Sequence, residues 1–324
     1  MTNRSKAFFI NGGAGRVLCS IPALEKYYEE TKDEGFIIVC EGGSEFYKGH
    51  SILDSRAYEV MHKNLFQDKL KDMDIVSPEP YRIWEYYNQK ASLAEAFDIA
   101  INNKGIRELP QPTLNLSRDE LAQGAALIAE VKEKLKKEKV VVLQPFGRGI
   151  QDMAGNLIDP SGRSIEFPNV INIIKQLQKE NWAVVFFSEV HFDAKKAGLN
   201  DDIAKPEGAN LRLWSSIIAS ADLFIGCDSV GQHIAHTVST PAISIIGSTF
   251  PVNVSYPETD KFKVMDLGEI ARKYSPIRIT MDEAADRNNE RLMYMTPDIE
   301  KYLFELTRTI SKKKNKTLPN TSKK

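Results

Sequence analysis

Six short apolar runs constrain what this chain can fold into more than any other feature. They read "AFFI" (7–10), "FIIVC" (36–40), "VVVLQP" (140–145), "AVVFFS" (183–188), "DLFIGC" (222–227) and "AISIIG" (242–247). Near-continuous apolar runs of this length are expected as strands buried on both faces, the condition of a parallel sheet covered by helices. Between them lie "VLCSIPALEKYYEE" (17–30), "FPNVINIIKQLQKE" (167–180) and "LRLWSSIIASA" (211–221), with apolar residues three and four apart and polar residues opposite. Parallel strands need long crossovers, so this alternation predicts an α/β class with helical connections.

With 324 residues, 42% of them hydrophobic, the chain is long enough for two cores. The proline-rich, polar stretch "LPQPTLNLSRDE" (109–120) reads as a linker. One Rossmann-like domain is therefore expected over residues 1–112 and a second over 120–300. "TPDIEKYLFELTRTI" (296–310) is expected as a closing helix capped by Thr296, with Pro297 at its first position. Residues 311–324, with six lysines, are expected as a disordered basic tail. Net charge is −1, so the body offers no global attraction for nucleic acid or an anionic membrane. Cys19, Cys40 and Cys227 lie far apart in or beside apolar runs, as buried free thiols do, and a reducing cytoplasm is expected. No apolar stretch is long enough to span a bilayer, and the N-terminal one is too short for a secretory signal.

The densest chemistry lies in "GCDSVGQHIAH" (226–236), directly after an apolar run. In open parallel sheets ligands gather at the carboxyl ends of strands, where helix N-termini present amides and positive dipole to anions. Asp228 and Ser229 stand at such an end, Ser229 as a helix cap, Gly231 where a phosphate can approach the backbone, and His233 on the helix. Read from the residues alone, a plain cap and a core histidine are equally admissible. After the next strand, "GSTFPVNVSYPE" (247–258) sets Gly247, Ser248 and Thr249 in position to donate to the same ligand.

This order of parts, "ASADLFIGCDSVGQHIAHTVSTPAISIIGSTFP", resembles the donor-site signature of the ADP-heptose:lipopolysaccharide heptosyltransferase family. "GRVLCSIPALEKYYEE" (15–30) is similar to that family's first loop and helix, and "VVVLQPFGRG" is more faintly so. The resemblance is specific at residues 15–30 and 219–251; residues 44–110 carry none of it. It implies a GT-B glycosyltransferase, in which two Rossmann-like domains with parallel sheets face each other across a cleft. A nucleotide sugar would sit on the C-terminal domain and the acceptor on the N-terminal one, with no metal and no cofactor. Asp228 would hold the donor sugar, Ser229 and the amides near Gly231 would meet the diphosphate, and His233 would support the turn. Val230 and Gly231 depart mildly from the family pattern, and Ser248 stands where proline is usual, with Thr249 retained.

The first loop departs more. Where the family carries an aspartate held to be the general base, this chain has Arg16, which cannot act as a base at neutral pH. Either another carboxylate or histidine takes that role, or Arg16 binds an anionic acceptor or the diphosphate, or catalysis has been lost. Glu41, at the end of the second strand, is the first candidate for a replacement base, with a solvent-facing loop glutamate as its plain reading, and His50 and Asp54 follow it. The glycines of "NGGAG" (11–15) lack the dinucleotide register and read as a tight turn. "QPFGRG" (144–149) brings Arg148 toward a diphosphate, and the loop 150–166 is a candidate lid carrying Arg163. The aromatic patch 79–97, with Trp84 and the tyrosines, reads as core or as an acceptor-stacking surface. "DMD" (72–74) precedes a strand-like run and reads as a solvated turn.

The expected function is an inverting, metal-independent transfer of sugar from a nucleotide-diphosphate sugar to a glycan or lipid-linked hydroxyl. Three alternatives stay open: transfer to hydroxymethylated bases in DNA, a catalytically degenerate nucleotide-sugar-binding module, and a nucleotide-sugar epimerase of similar architecture.

Overall fold

The computed structural model describes residues 4–153, 156–190, 194–195, 197–199, 203–206, 208, 210–272 and 291–314. β1 (Lys6–Ile10), α1 (Ala14–Thr31), β2 (Ile37–Cys40), β3 (Ala57–Glu59) and β4 (Asp74–Val76) open the chain. Their four parallel strands form one sheet in the order β3-β2-β1-β4. The chain steps outward from β1 to β3 and then returns to the other side of β1. That reversal opens a crevice at the carboxyl ends of β1 and β4.

α2 (Trp84–Tyr87) and α3 (Leu93–Asn102) follow. α3 starts on a capping box: the Ser92 amide donates to the Glu95 carboxylate at 2.7 Å, and the Glu95 amide donates to the Ser92 hydroxyl at 3.3 Å. α4 (Arg118–Leu135) repeats the device with Ser117 and Glu120, so the last residues of the expected linker form a helical turn.

Then come β5 (Lys139–Gln144), the antiparallel hairpin β6 (Gln151–Met153) and β7 (Asn156–Ile158), α5 (Phe167–Lys179), β8 (Trp182–Phe186) and β9 (Ile203–Ala204). α6 (Leu211–Ser220), β10 (Leu223–Cys227), α7 (Val230–Thr237), β11 (Ala242–Ile246), α8 (Pro251–Val254), β12 (Phe262–Asp266) and α9 (Pro297–Lys314) complete the chain. The second sheet is all parallel in the order β12-β11-β10-β5-β8-β9. Its strand order reverses between β5 and β10, where a second crevice opens.

Each of the six apolar runs contains a strand. β5 from Val140 onward, β8, β10 and β11 are buried throughout, which explains why their sequences do not alternate. α5 turns Val170, Ile173, Ile174 and Leu177 inward, one helical stripe. The strands that the sequence pattern left unmarked, β3, β4, β9 and β12, lie at or beside sheet edges; β4 exposes Asp74 and Ile75. α9 continues through Lys314, so the expected disordered tail is helical over its first four residues, and residues 315–324 lie outside the described set. All three cysteines are buried and free.

An arginine ties the two sheet-bearing halves together. Arg212 of α6 donates to the Glu120 carboxylate through Nε (2.8 Å) and Nη2 (2.6 Å). It also donates to the carbonyls of Glu45, Lys48 and Asn115, so its buried guanidinium is surrounded by acceptors from three segments. Those hydrogen bonds, working against desolvation, hold the Glu120 carboxyl down at about 2.

Candidate active site

The crevice of the second sheet is built from Gln144 at the end of β5 and Asp228 just past β10. The buried Asp228 carboxylate accepts from the Thr249 hydroxyl at 2.9 Å and from Gln232 Nε2 at 3.1 Å. Arg163 Nη1 stands 4.0 Å from it. Burial raises the Asp228 pKa, outweighing the opposing pull of Arg163, Thr249 and Gln232. Desolvation would lower the Arg163 pKa, but Asp228 and neighbouring anions outweigh it and the pKa stands above its ordinary value. The Arg163 side chain is about a third exposed.

The segment expected as a lid is ordered where it meets this site. After the hairpin, Asp159 accepts from the amides and hydroxyls of Ser161 and Ser164, and the Ser164 hydroxyl accepts from the Gly147 amide at 3.0 Å. Ser161 in turn accepts from Arg163 Nε at 3.2 Å. This chain of bonds aims Arg163 at Asp228.

Several expected donor residues sit here with different local roles. Ser229 occupies the N-cap position of α7, but its hydroxyl accepts from Gln144 Nε2 at 3.3 Å and makes no capping bond. The Gly231 amide donates to Gln144 Oε1 at 2.9 Å, so it is already used within the fold. A Cβ on Gly231 would lie 2.1 Å from that oxygen and 2.6 Å from the Phe224 ring; glycine is required there for packing, not for phosphate approach. Gly247 likewise backs onto Met293 and Leu292. Ser248 is buried and donates to the Ser161 carbonyl at 3.2 Å, while Arg148 is exposed at the rim.

Across from this site lies the crevice of the first sheet. Gly12, with φ +98°, makes the turn after β1, and its amide donates to Glu41 Oε2 at 2.9 Å. Glu41 thus belongs to the first loop, as its strand-end position implied, with one oxygen engaged in holding the turn. Arg16 points the other way, toward the segment after β4. Its Nη1 meets Glu79 Oε1 at 3.3 Å, its Nη2 approaches the Pro78 carbonyl at 3.5 Å, and its guanidinium lies 4.9 Å from the Tyr81 ring centre. Its Nε is buried with no acceptor among the described residues. Burial raises the Tyr81 pKa, and the charges of Arg16, Arg163, Asp228 and Glu79 all act on it.

His233 lies on the seam between the halves. Its Nδ1 is 3.0 Å from the Tyr256 hydroxyl and 3.6 Å from the Cys19 sulfur of α1. Burial, with a lesser push from His236, lowers its pKa to about 4, so it is neutral at physiological pH. Asn253 of α8 donates to the carbonyls of Tyr86 and Ala91, closing the seam on its other side. Of the aromatic patch, Tyr86 is core, while Trp84 and Tyr87 are exposed. His50 and Asp54 belong to local structure: His50 meets Glu25 at 2.8 Å, and Asp54 accepts from the Gly49 amide.

Residues 170–274 match the family described as Glycosyltransferase family 9 (heptosyltransferase). That stretch holds β10, α7, β11 and α8, and therefore Asp228, Gln232 and Thr249. That stretch is thus similar to a family 9 glycosyltransferase domain, and the chain as a whole has the GT-B fold. Its fold is shared with a glycosyl transferase family 9 protein from Veillonella parvula, with 10% identity and a TM-score of 0.67 over 96% of this chain and 98% of that one. E. coli ADP-heptose lps heptosyltransferase II gives 12% identity and a TM-score of 0.60 over 96% and 99%. The iron-containing dodecameric glycosyltransferase TibC from enterotoxigenic E. coli gives 12% and 0.55 over 96% and 81%. No curated protein matches the chain.

Three residues of this candidate site escaped sequence reasoning. Gln232 is buried and fully engaged: it donates to Asp228 and to the Val254 carbonyl, and its oxygen accepts from Ser244 and Ser255. Its place one turn after Asp228 was the available signal. Glu79 and Tyr81 lie in the stretch that the resemblance did not reach. Among the described residues no group of three or more metal-ligating side chains occurs, and no helix is long and apolar enough to cross a membrane.

Proposed function

We propose that this protein is a glycosyltransferase that moves a sugar from a nucleotide-diphosphate sugar to a hydroxyl of a glycan or lipid-linked acceptor, with inversion and without a metal. The observation that carries the reading is the buried Asp228, gripped by Thr249 and Gln232, with Arg163 beside it at a strand-order reversal. A fixed carboxylate accepts hydrogen bonds from sugar hydroxyls. A guanidinium next to it meets phosphate oxygens bidentately and stabilises the charge that develops on the departing diphosphate. Arg148 at the rim, Ser229 at the start of α7 and the 247–249 loop complete the donor side. His233, neutral and wedged against α1, supports the α7 turn.

Inversion follows from a single displacement with the acceptor on the first sheet's crevice and the donor on the second. Calorimetry against a panel of ADP-, GDP-, UDP- and CDP-sugars tests the reading. One of them should bind the unmutated protein and be consumed with a suitable acceptor. Binding of none contradicts it, and binding without consumption favours a degenerate sugar-binding module.

A further inference from the structure

The crevice between β1 and β4 holds an unusual pairing. Arg16 is partly buried, its side chain 11% exposed, whereas the Glu79 side chain that it holds is 38% exposed. One carboxylate oxygen is pinned at 3.3 Å by Nη1, and the Tyr81 amide donates to the same oxygen at 3.3 Å. The second oxygen is left to face outward. Behind Glu79 a concavity of about 560 Å³ runs along the open edge of β4 toward the end of α3. It is lined by Ser77, Glu79, Glu85, Asn103 and Lys104 over an apolar floor that includes Ile83.

Hydrogen-bonding groups over a small apolar surface suit a sugar. Two carboxylates against one ammonium give the lining no attraction for an acidic ligand. The loop that carries Arg16 abuts the donor side, since a Cβ on Gly15 would lie 3.2 Å from the His233 ring and 3.8 Å from Val230 Cα at the start of α7. Glu41 also holds an amide with one oxygen, but it follows β2, on the opposite side of β1 from this concavity.

We propose that this concavity is the acceptor subsite, that it takes a neutral sugar, and that Glu79 is the general base, with Arg16 as its positioning residue. The inference rests on the transferase reading above. The acceptor hydroxyl gives its proton to the free Glu79 oxygen as its own oxygen bonds to the anomeric carbon. The bond from that carbon to the diphosphate oxygen breaks, and its electron pair leaves with the nucleoside diphosphate.

The test begins with the donor sugar that the unmutated enzyme binds and consumes. Glu79→Gln should retain donor affinity by calorimetry while turnover falls by roughly 10²–10⁴, with the acidic limb of the pH profile abolished. Arg16→Met should lower kcat with donor affinity and acceptor KM unchanged, and Arg16→Lys should restore part of the loss. Lys104→Ala should raise the acceptor KM with kcat kept, and a neutral glycoside should outperform a sugar-acid glycoside. Normal turnover by Glu79→Gln, or a loss confined to Glu41→Gln, overturns the inference and leaves the transferase reading standing. Donor binding without turnover by the unmutated chain also overturns it. Absence of donor binding contradicts the transferase reading itself.

Discussion

The Thr249 hydroxyl donates to Asp228 Oδ2 at 2.9 Å, joining the loops that follow two neighbouring strands, β10 and β11. The bond fixes the oxygen that Arg163 Nη1 approaches at 4.0 Å, so the carboxylate is oriented within the fold itself. Such preorganisation is what an active site gains from placing its groups at strand ends rather than on long loops.

The packing beneath that carboxylate is tight enough to test directly. In Gly231→Ala the new methyl group meets Gln144 Oε1 and the Phe224 ring. Overpacking of this kind costs about 1–3 kcal/mol. A drop of several degrees in Tm is expected, along with loss of the Gln144 bridge to α7. Unchanged denaturant midpoints would show that the strand-to-helix turn gives way easily.

The junction at Arg212 makes a second prediction. Glu120→Gln leaves a buried guanidinium without its anion, and breaking such a pair costs about 3 kcal/mol. Because the Glu120 pKa is lowered from 4.5 to about 2, the stability it contributes is complete above its unfolded value and fades as pH falls from 4.5 toward 2. The variant should show a flatter acid-unfolding curve over that range. An unchanged curve would place the stabilisation elsewhere.

His233 acts at higher pH. Its pKa falls from 6.5 to about 4 on folding, so between these values the unfolded chain binds a proton that the folded chain refuses. Stability should therefore decline as pH drops from about 6.5 to 4, and His236, also lowered by burial, adds in the same direction. His233→Gln removes part of that slope. Urea midpoints measured across this range check it, and an identical slope in the variant would contradict the assignment.

How much of this was legible beforehand divides along physical lines. The buried parallel strands announce themselves because burial on both faces forces near-continuous apolar runs. That Asp228, Ser229 and Thr249 gather at neighbouring strand ends is legible because strand-end positions are local in sequence. The edge strands β3 and β4 are short and half solvated, so nothing in their composition marks them. Glu79 and Tyr81 become site residues only through β4 pairing beside β1, a contact between distant segments. Gly231 looked like a phosphate approach because sequence alone does not reveal that Gln144 fills the space and takes the amide.

Turnover, once a donor is identified, should survive EDTA, because Arg163, Arg148 and the start of α7 supply the positive charge that the leaving diphosphate requires. Loss of activity restored by magnesium or manganese would contradict metal independence.

The most direct measurement is calorimetric titration of the matching nucleotide sugar into the unmutated protein and into Asp228→Asn. Exchanging the carboxylate for an amide keeps the shape but removes a charged hydrogen-bond acceptor, a change that costs about 1–3 kcal/mol. Donor affinity should fall roughly tenfold to a hundredfold, with the far-ultraviolet spectrum unchanged. Equal affinities in two folded proteins would contradict the placement of the donor site at Asp228.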